Sequence, residues 1–161
     1  MSKLKVRFAK NSELAEVNEL RRQVHKLHAK GRPDIFRKKF GRKLADFVYV
    51  YFTGETSKII VAKAEGKICG FATIEIVHKP RSPYNKARSY LKVTELGVDK
   101  AHRRQGTGRA IFDFIKTYAS AQGFDTVELD VWEFNEDALK FYESMGFTTY
   151  RRFLECKLSS E

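Results

Sequence analysis

The sequence predicts an α/β fold with a mixed sheet, on three observations. Short segments that alternate apolar and polar residues are interleaved with segments of helical periodicity. The span 58–77 reads as a β-hairpin, and strands and helices alternate from about residue 89 onward. No linker-like tract, internal repeat or low-complexity stretch divides the 161 residues, so the expectation is one domain over 1–161.

The elements follow in order. Lys5-Val6-Arg7-Phe8-Ala9 alternates as a short strand. Asn11 and Ser12 then stand as helix caps before Val17, Leu20, Val24 and Leu27, which recur at helical spacing. Gly31-Arg32-Pro33-Asp34 breaks that helix, and Pro33 is suited to opening a second one that runs to about Tyr49. In the hairpin, Ile59–Ala62 and Ile68–Ile74 flank the turn Glu65-Gly66-Lys67. A polar loop broken by Pro80 and Pro83 occupies about 78–88, and a strand over about 89–98 follows. Next come a helix over about 106–122, a strand Thr126–Val131, a helix over about 136–145 and a long final strand Phe147–Leu158.

Two irregularities suggest a site. Arg103-Arg104-Gln105-Gly106-Thr107-Gly108 runs into the helix whose apolar face is Ile111, Phe114, Ile115 and Tyr118. Helix first turns carry unpartnered N–H groups and the positive end of the macrodipole, so an anion is stabilised there. Glycines at 106 and 108 admit a phosphate close to the backbone, and Arg103, Arg104 and Arg109 add charge. The spacing is neither that of a P-loop nor that of a dinucleotide-binding turn, which needs a small residue where Ile111 stands. The second irregularity is a phase slip. Leu91 and Val93 are odd-numbered and Leu96 and Val98 even-numbered, so a β-bulge beside Gly97 would restore all four to one face. Such a bulge splays the strand and frees backbone groups for an extended, amide-bearing ligand; a central strand covered on both faces is the alternative.

Composition narrows the partners. Lysine and arginine total 31 against 20 aspartate and glutamate, a net charge of +11 that favours anionic partners. The basic residues read as spread along the chain and no nucleic-acid module signature is present, so specific nucleic-acid recognition is not expected. No apolar run reaches the ~18 residues of a membrane span, and the N-terminus lacks the apolar core of a signal peptide, so a soluble cytoplasmic protein is expected. Cys69 and Cys156 lie in apolar strand-like segments and read as buried free thiols, without metal-type spacing. His25 and His28, one turn apart, make a poor metal site, and no metal is expected.

Taken together, Thr94-Glu95-Leu96-Gly97-Val98, the loop Arg103 to Gly108, and Asn135-Glu136-Asp137-Ala138-Leu139-Lys140-Phe141-Tyr142 with Gly146-Phe147 resemble the Gcn5-related N-acetyltransferases. The loop satisfies [QR]-x-x-G-x-[GA] and the later block N-x-x-A-x-x-x-Y-x-x-x-G-F. The resemblance implies a mixed, mostly antiparallel central sheet with a splayed strand pair, flanked by helices. It also implies acetyl-CoA as cosubstrate and an amine as acceptor. The pyrophosphate would sit on Arg103, Arg104, Gln105, Gly106, Thr107, Gly108 and Arg109. The pantetheine arm would lie along Leu96, Gly97 and Val98, and Asn135, Ala138 and Phe141 would complete the cofactor contacts. A non-catalytic CoA-sensing module on the same fold is the alternative.

Amine attack on a thioester requires a neutral amine, hence a base acting directly or through water. Glu95, beside the bulge, is the candidate; a surface or salt-bridged glutamate is the alternative reading. Tyr142 matches the family tyrosine that donates to the departing thiolate, although it also lies on the apolar stripe Ala138, Phe141, Tyr142, Met145. A backbone N–H near Leu96 would polarise the carbonyl. Asn135 could cap its helix or bind cofactor. Acceptor specificity is expected in the first two helices, their connection, the 78–88 loop and Trp132-Glu133-Phe134. His102, Arg151 and Arg152 remain open between anion contact and solvated surface. The net charge disfavours a polycationic acceptor, and the terminal strand suggests a possible homodimer interface.

Overall fold

The computed structural model describes residues 3–159. The chain divides into two compact units, Met1–Asp130 and Val131–Glu161. The first contains β1 (Lys5–Phe8), a 3-10 turn Asn11–Glu13, α1 (Leu14–Gly31), α2 (Arg42–Thr53), β2 (Ser57–Ala64), β3 (Lys67–Lys79) and β4 (Arg88–Val98). A second 3-10 turn Lys100–His102, α3 (Thr107–Ala121) and β5 (Val127–Leu129) complete it. The sheet order is β1-β2-β3-β4-β5, antiparallel through β4 and parallel between β4 and β5. This is the mixed, mostly antiparallel sheet expected.

Helices cover both faces. Leu14, Val17 and Leu20 of α1 and Val48 of α2 bury against Ile59, Val61 and Phe71 on one face. On the other, α3 buries Ile111 and Ile115 as its periodicity predicted, but with Phe112 and Ala119, while Phe114 and Tyr118 are half-buried and pack edge-on against Phe8.

The start of α1 differs from expectation. Neither Asn11 nor Ser12 caps it; Glu13 stands at its N-cap without a side-chain cap bond, and its carboxylate instead closes the preceding 3-10 turn by accepting the Lys10 N–H at 2.8 Å. The same carboxylate meets Arg7 at 2.6 Å and Lys63 at 3.0 Å, which ties β1, β2 and α1 together. Hydrogen bonding from Arg7 holds the Glu13 carboxyl far below the usual carboxylate range, against the opposing effect of burial. Because the folded-state value is depressed, this stability is present above pH about 4, the unfolded value, and is lost as pH falls toward the folded one. Glu13→Gln is expected to lower the unfolding free energy by about 2 kcal/mol at pH 7, and to flatten the acid limb of a stability-versus-pH curve.

Pro33 does not open α2, which begins nine residues later. Arg32 and Asp34 form a forked ion pair at 2.9 and 2.7 Å, and the N–H groups of Ile35 and Phe36 both donate to the Arg32 carbonyl. These bonds close a local turn, so the chain reaches Gly41 before a helix starts. Phe36 stacks on His28 with centroids 5.2 Å apart.

The bulge is present, but at Thr94 and not beside Gly97. Ile74 pairs with Val93 and Thr73 with Glu95, which leaves Thr94 as the extra residue. Its hydroxyl lies 2.6 Å from that of fully buried Thr73, pinning the irregularity to β3. Beyond it, Leu96 pairs with Ala72 and Val98 with Gly70, so Leu91, Val93, Leu96 and Val98 share one face as the phase slip required.

In the second unit, α4 (Glu136–Ser144) forms as expected. The long terminal strand does not. Residues 147–159 carry no strand, and Tyr150, Phe153, Leu154 and Leu158 are exposed. Apolar spacing marks a strand only where a neighbour supplies the ladder, and none pairs with this segment among the described residues. Cys156 is accordingly exposed and not buried, whereas Cys69 is buried with its thiol 3.4 Å from the Ala62 carbonyl.

Candidate active site

The glycine loop is built from the end of β4. Asp99 donates its N–H to the Cys69 carbonyl at 2.8 Å, and its carboxylate accepts from Gln23 and from His102, each at 2.9 Å. His102 is thus engaged with Asp99. Arg104 and Gly106 then adopt positive φ, 60° and 84°, which turns the chain into α3. Gly106 is the N-cap and has open space where a Cβ would stand, so its conformation is what calls for glycine. The first intrahelical bond is from Ala110 N–H to the Gly106 carbonyl at 2.9 Å. The N–H groups of Thr107, Gly108 and Arg109 precede it and have no intrahelical acceptor. Arg103, Arg104 and Arg109 are exposed, Arg103 with its Nε 3.2 Å from the Val98 carbonyl, and Gln105 bonds back to the Ala101 carbonyl. The arrangement is an anion cradle.

Gly70 of β3 sets its depth. A Cβ there would fall 2.8 Å from Ile111 Cδ1 and 2.9 Å from Thr107 Cγ2, so the start of α3 rests directly on the strand. Gly70→Ala is expected to cost about 1–3 kcal/mol through overpacking, measured by denaturant unfolding, and to shift the start of α3.

Beside the cradle the sheet opens. Pairing of β4 with β5 runs only from Leu91 opposite Val127 to Val93 opposite Leu129. Past the bulge, the edge of β4 that carries Leu96, Gly97 and Val98 has no strand partner on that side among the described residues. This is the splayed pair.

Glu95 points to the opposite face, because it pairs with Thr73 and shares a face with Phe71. Arg21 of α1 grips it in a fork, Nε to Oε2 at 2.8 Å and Nη2 to Oε1 at 3.1 Å. Only 2% of the Arg21 side chain is exposed, against 24% for Glu95. Nη1 of Arg21 donates to Asn18 Oδ1 and to the Leu44 carbonyl, each at 2.9 Å. One guanidinium therefore joins α1, α2 and β4 at the candidate base. Both carboxylate oxygens are engaged, yet each keeps a lone pair for an amine or a water. The salt-bridged alternative for Glu95 is therefore the arrangement present in the structure.

Arg21 is the residue that sequence reasoning missed. A signal was available: it lies four residues after Val17 and three before Val24, on the apolar face of α1, where a cation needs a partner. Nearby, His25 Nε2 contacts the Arg37 carbonyl at 2.6 Å, and burial lowers the pKa of His28, with the charge of Glu95 opposing the shift. The described residues contain no group of three metal-type ligands.

In the second unit, Asn135 Oδ1 accepts the Ala138 N–H at 3.2 Å, the capping role. Ala138, Phe141 and Tyr142 are partly buried, and the Tyr142 ring packs at 5.4 Å from Phe141 and 5.5 Å from Phe147. Loss of hydration pushes the Tyr142 phenol up to about 12. Trp132 and Phe134 stack at 6.3 Å, and Arg151 and Arg152 are exposed.

An open cradle at a helix start, next to a splayed strand, defines an acetyltransferase-type fold. The model of the Acetyltransferase (GNAT) family matches residues 21–147, and the chain belongs to that family. It is 31% identical to N-acetyltransferase 8 of Homo sapiens and 33% to N-acetyltransferase family 8 member 3 of Rattus norvegicus, over 104 residues in each case. Those matches cover 65% of this chain and 44% of each relative, so the chain matches less than half the length of these curated relatives. Among solved structures, a tetramutant of the BH1408 protein from Bacillus halodurans superposes with a TM-score of 0.91 at 35% identity, covering 96% of this chain and 99% of that one. An aminoglycoside N-acetyltransferase, AAC(6')-Iy, in complex with CoA has a TM-score of 0.74 at 19% identity, covering 98% of this chain and 95% of that one, a likeness of fold. No described helix is long and apolar enough to cross a membrane.

Proposed function

We propose that the protein is an acetyl-CoA-dependent N-acetyltransferase, acting as one catalytic domain and passing the acetyl group directly to an amine in a ternary complex. The observation that carries this reading is the bulge at Thr94. It leaves the edge of β4 open beside the anion cradle and, on the opposite face, presents Glu95 to the helices α1 and α2.

The cradle, Arg103 to Arg109, would hold the pyrophosphate, and Leu96, Gly97 and Val98 would pair with the pantetheine amides. Glu95 takes the proton of the incoming ammonium, directly or through a water, and the neutral nitrogen attacks the thioester carbonyl. A β4 N–H near Leu96 polarises that carbonyl. As the C–S bond breaks, the second proton of the nitrogen passes to the departing sulfur, directly or through a water, which yields the amide and free CoA thiol, and the Tyr142 phenol would hydrogen-bond the sulfur as its negative charge develops. Since burial places the phenol above an ordinary thiol near 8.5, it stabilises sulfur by sharing its proton without giving it up. Ala138 and Phe141 line the cofactor, and Asn135 fixes the helix that carries them. A cysteine acyl-enzyme has no support, because Cys69 is buried with its thiol pushed up by burial and both Cys69 and Cys156 lie outside the cradle and tyrosine motifs. The two free thiols suit a reducing compartment such as the cytoplasm.

Release of free thiol from acetyl-CoA, followed across a panel of amines, tests the proposal. Tight CoA binding without turnover on any acceptor would support a CoA-sensing module instead, and absence of CoA binding by calorimetry would sink both readings.

A further inference from the structure

The positive charge of the chain is not evenly spread. Residues 22–43 hold nine lysines and arginines and one acid, Asp34, a net of +8 (9 − 1) out of +11, leaving +3 (11 − 8) for the other 139 residues (161 − 22). The sequence reading of a dispersed basic surface therefore needs correction. Arg37, Lys38, Lys39, Arg42 and Lys43 are exposed and form no ion pair among the described residues. Lys26 and Lys30 extend the patch along α1.

This surface adjoins the candidate base. Arg21, which grips Glu95, lies over the Phe40 ring at 5.6 Å, and Arg22 lies over the same ring at 4.7 Å. His25 packs on Phe40 and holds the Arg37 carbonyl. Phe40, the ring beside Arg21, therefore links the segment that carries Arg37, Lys38, Lys39, Arg42 and Lys43 to the side chain that grips Glu95.

We infer that the amine acceptor is a segment of acidic polypeptide that docks on the cationic surface of residues 22–43. This rests on the acetyltransferase reading above. A polycation such as an aminoglycoside would be repelled, and a small anion would need only two or three of these charges. Nucleic acid matches the charge but offers aromatic amines whose lone pairs are delocalised into the base. A polypeptide supplies an aliphatic amine, and exposed Leu27 and Ile35 among the cations suit its side chains.

The test uses four acceptors of comparable length or size: peptides with free N-termini that are acidic, neutral or basic, and one aminoglycoside. Thiol release and fluorescence-anisotropy binding are both read. The acidic peptide should show kcat/KM at least about tenfold above the neutral one at low salt, with the advantage shrinking as salt rises. The triple variant Lys38→Gln/Lys39→Gln/Arg42→Gln should remove that advantage while leaving turnover of the neutral peptide unchanged. Equal rates, or preference for the basic peptide or aminoglycoside, would overturn the inference and leave the acetyltransferase reading standing. Selective acidic-peptide binding without any thiol release would overturn the peptide as acceptor together with the acetyltransferase reading, and leave a docking surface only. An RNA oligonucleotide that binds more tightly than the acidic peptide, through the same three residues, would assign the surface to nucleic acid and overturn the inference.

Discussion

Replacing Arg21 by methionine is expected to lower the unfolding free energy by about 3 kcal/mol, seen as a lower urea midpoint with unchanged slope. The side chain is buried and each of its nitrogens has a partner: two on Glu95, one on Asn18 and the Leu44 carbonyl. Methionine matches much of the volume but strands the Glu95 carboxylate without its donor, while the Leu44 carbonyl keeps only its bond within α2. Lysine keeps the charge yet cannot reproduce the fork, so Arg21→Lys should recover less than half of the loss. The double variant Arg21→Met/Glu95→Gln should be markedly more stable than the sum of its singles, since it removes the stranded charge as well. A cost below about 0.5 kcal/mol for Arg21→Met would mean that the pair is solvated and that Glu95 is not held by α1.

Much of the fold was legible because local periodicity and burial agree. The α3 stripe, the hairpin and the phase slip of β4 each mark a face that the structure buries. Errors fall where local signals lacked a partner. Pro33 can begin a helix, but the Arg32–Asp34 fork closes a turn first. Spacing in residues 147–158 resembled a strand, yet strand identity belongs to a ladder and not to a segment. Asn11 and Ser12 are good capping residues, but Glu13 has charged partners on two strands, Arg7 and Lys63, that sequence proximity does not reveal.

The cradle was readable for the opposite reason. Positive φ at Gly106, a helix start and clustered arginines are all consecutive in the chain. The Arg21–Glu95 pair joins residues 74 positions apart, so only the folded sheet brings it together. The bulge was visible as a parity change, but parity locates it only between Val93 and Leu96; the Thr73–Thr94 hydroxyl contact is what fixes it at Thr94.

Glu95→Gln is expected to reduce kcat by about 10²- to 10³-fold with little change in the affinity for acetyl-CoA, the signature of a lost proton acceptor. Glutamine faces Arg21 with one donor where the carboxylate had an acceptor, so some stability is lost as well. Denaturant unfolding at the assay temperature separates the two effects. On the proposed mechanism, Tyr142→Phe should lower kcat by a smaller factor, about ten to a hundredfold, through loss of a proton-sharing donor to the leaving sulfur. The two variants also differ in their pH behaviour. With the phenol pushed up to about 12, Tyr142 stays protonated across the assay range and should contribute no alkaline limb below about pH 11. If the native enzyme loses activity near pH 10 and Tyr142→Phe abolishes that loss, the phenol ionises as an ordinary solvated tyrosine. Its assignment as a proton-sharing donor to sulfur would then be wrong.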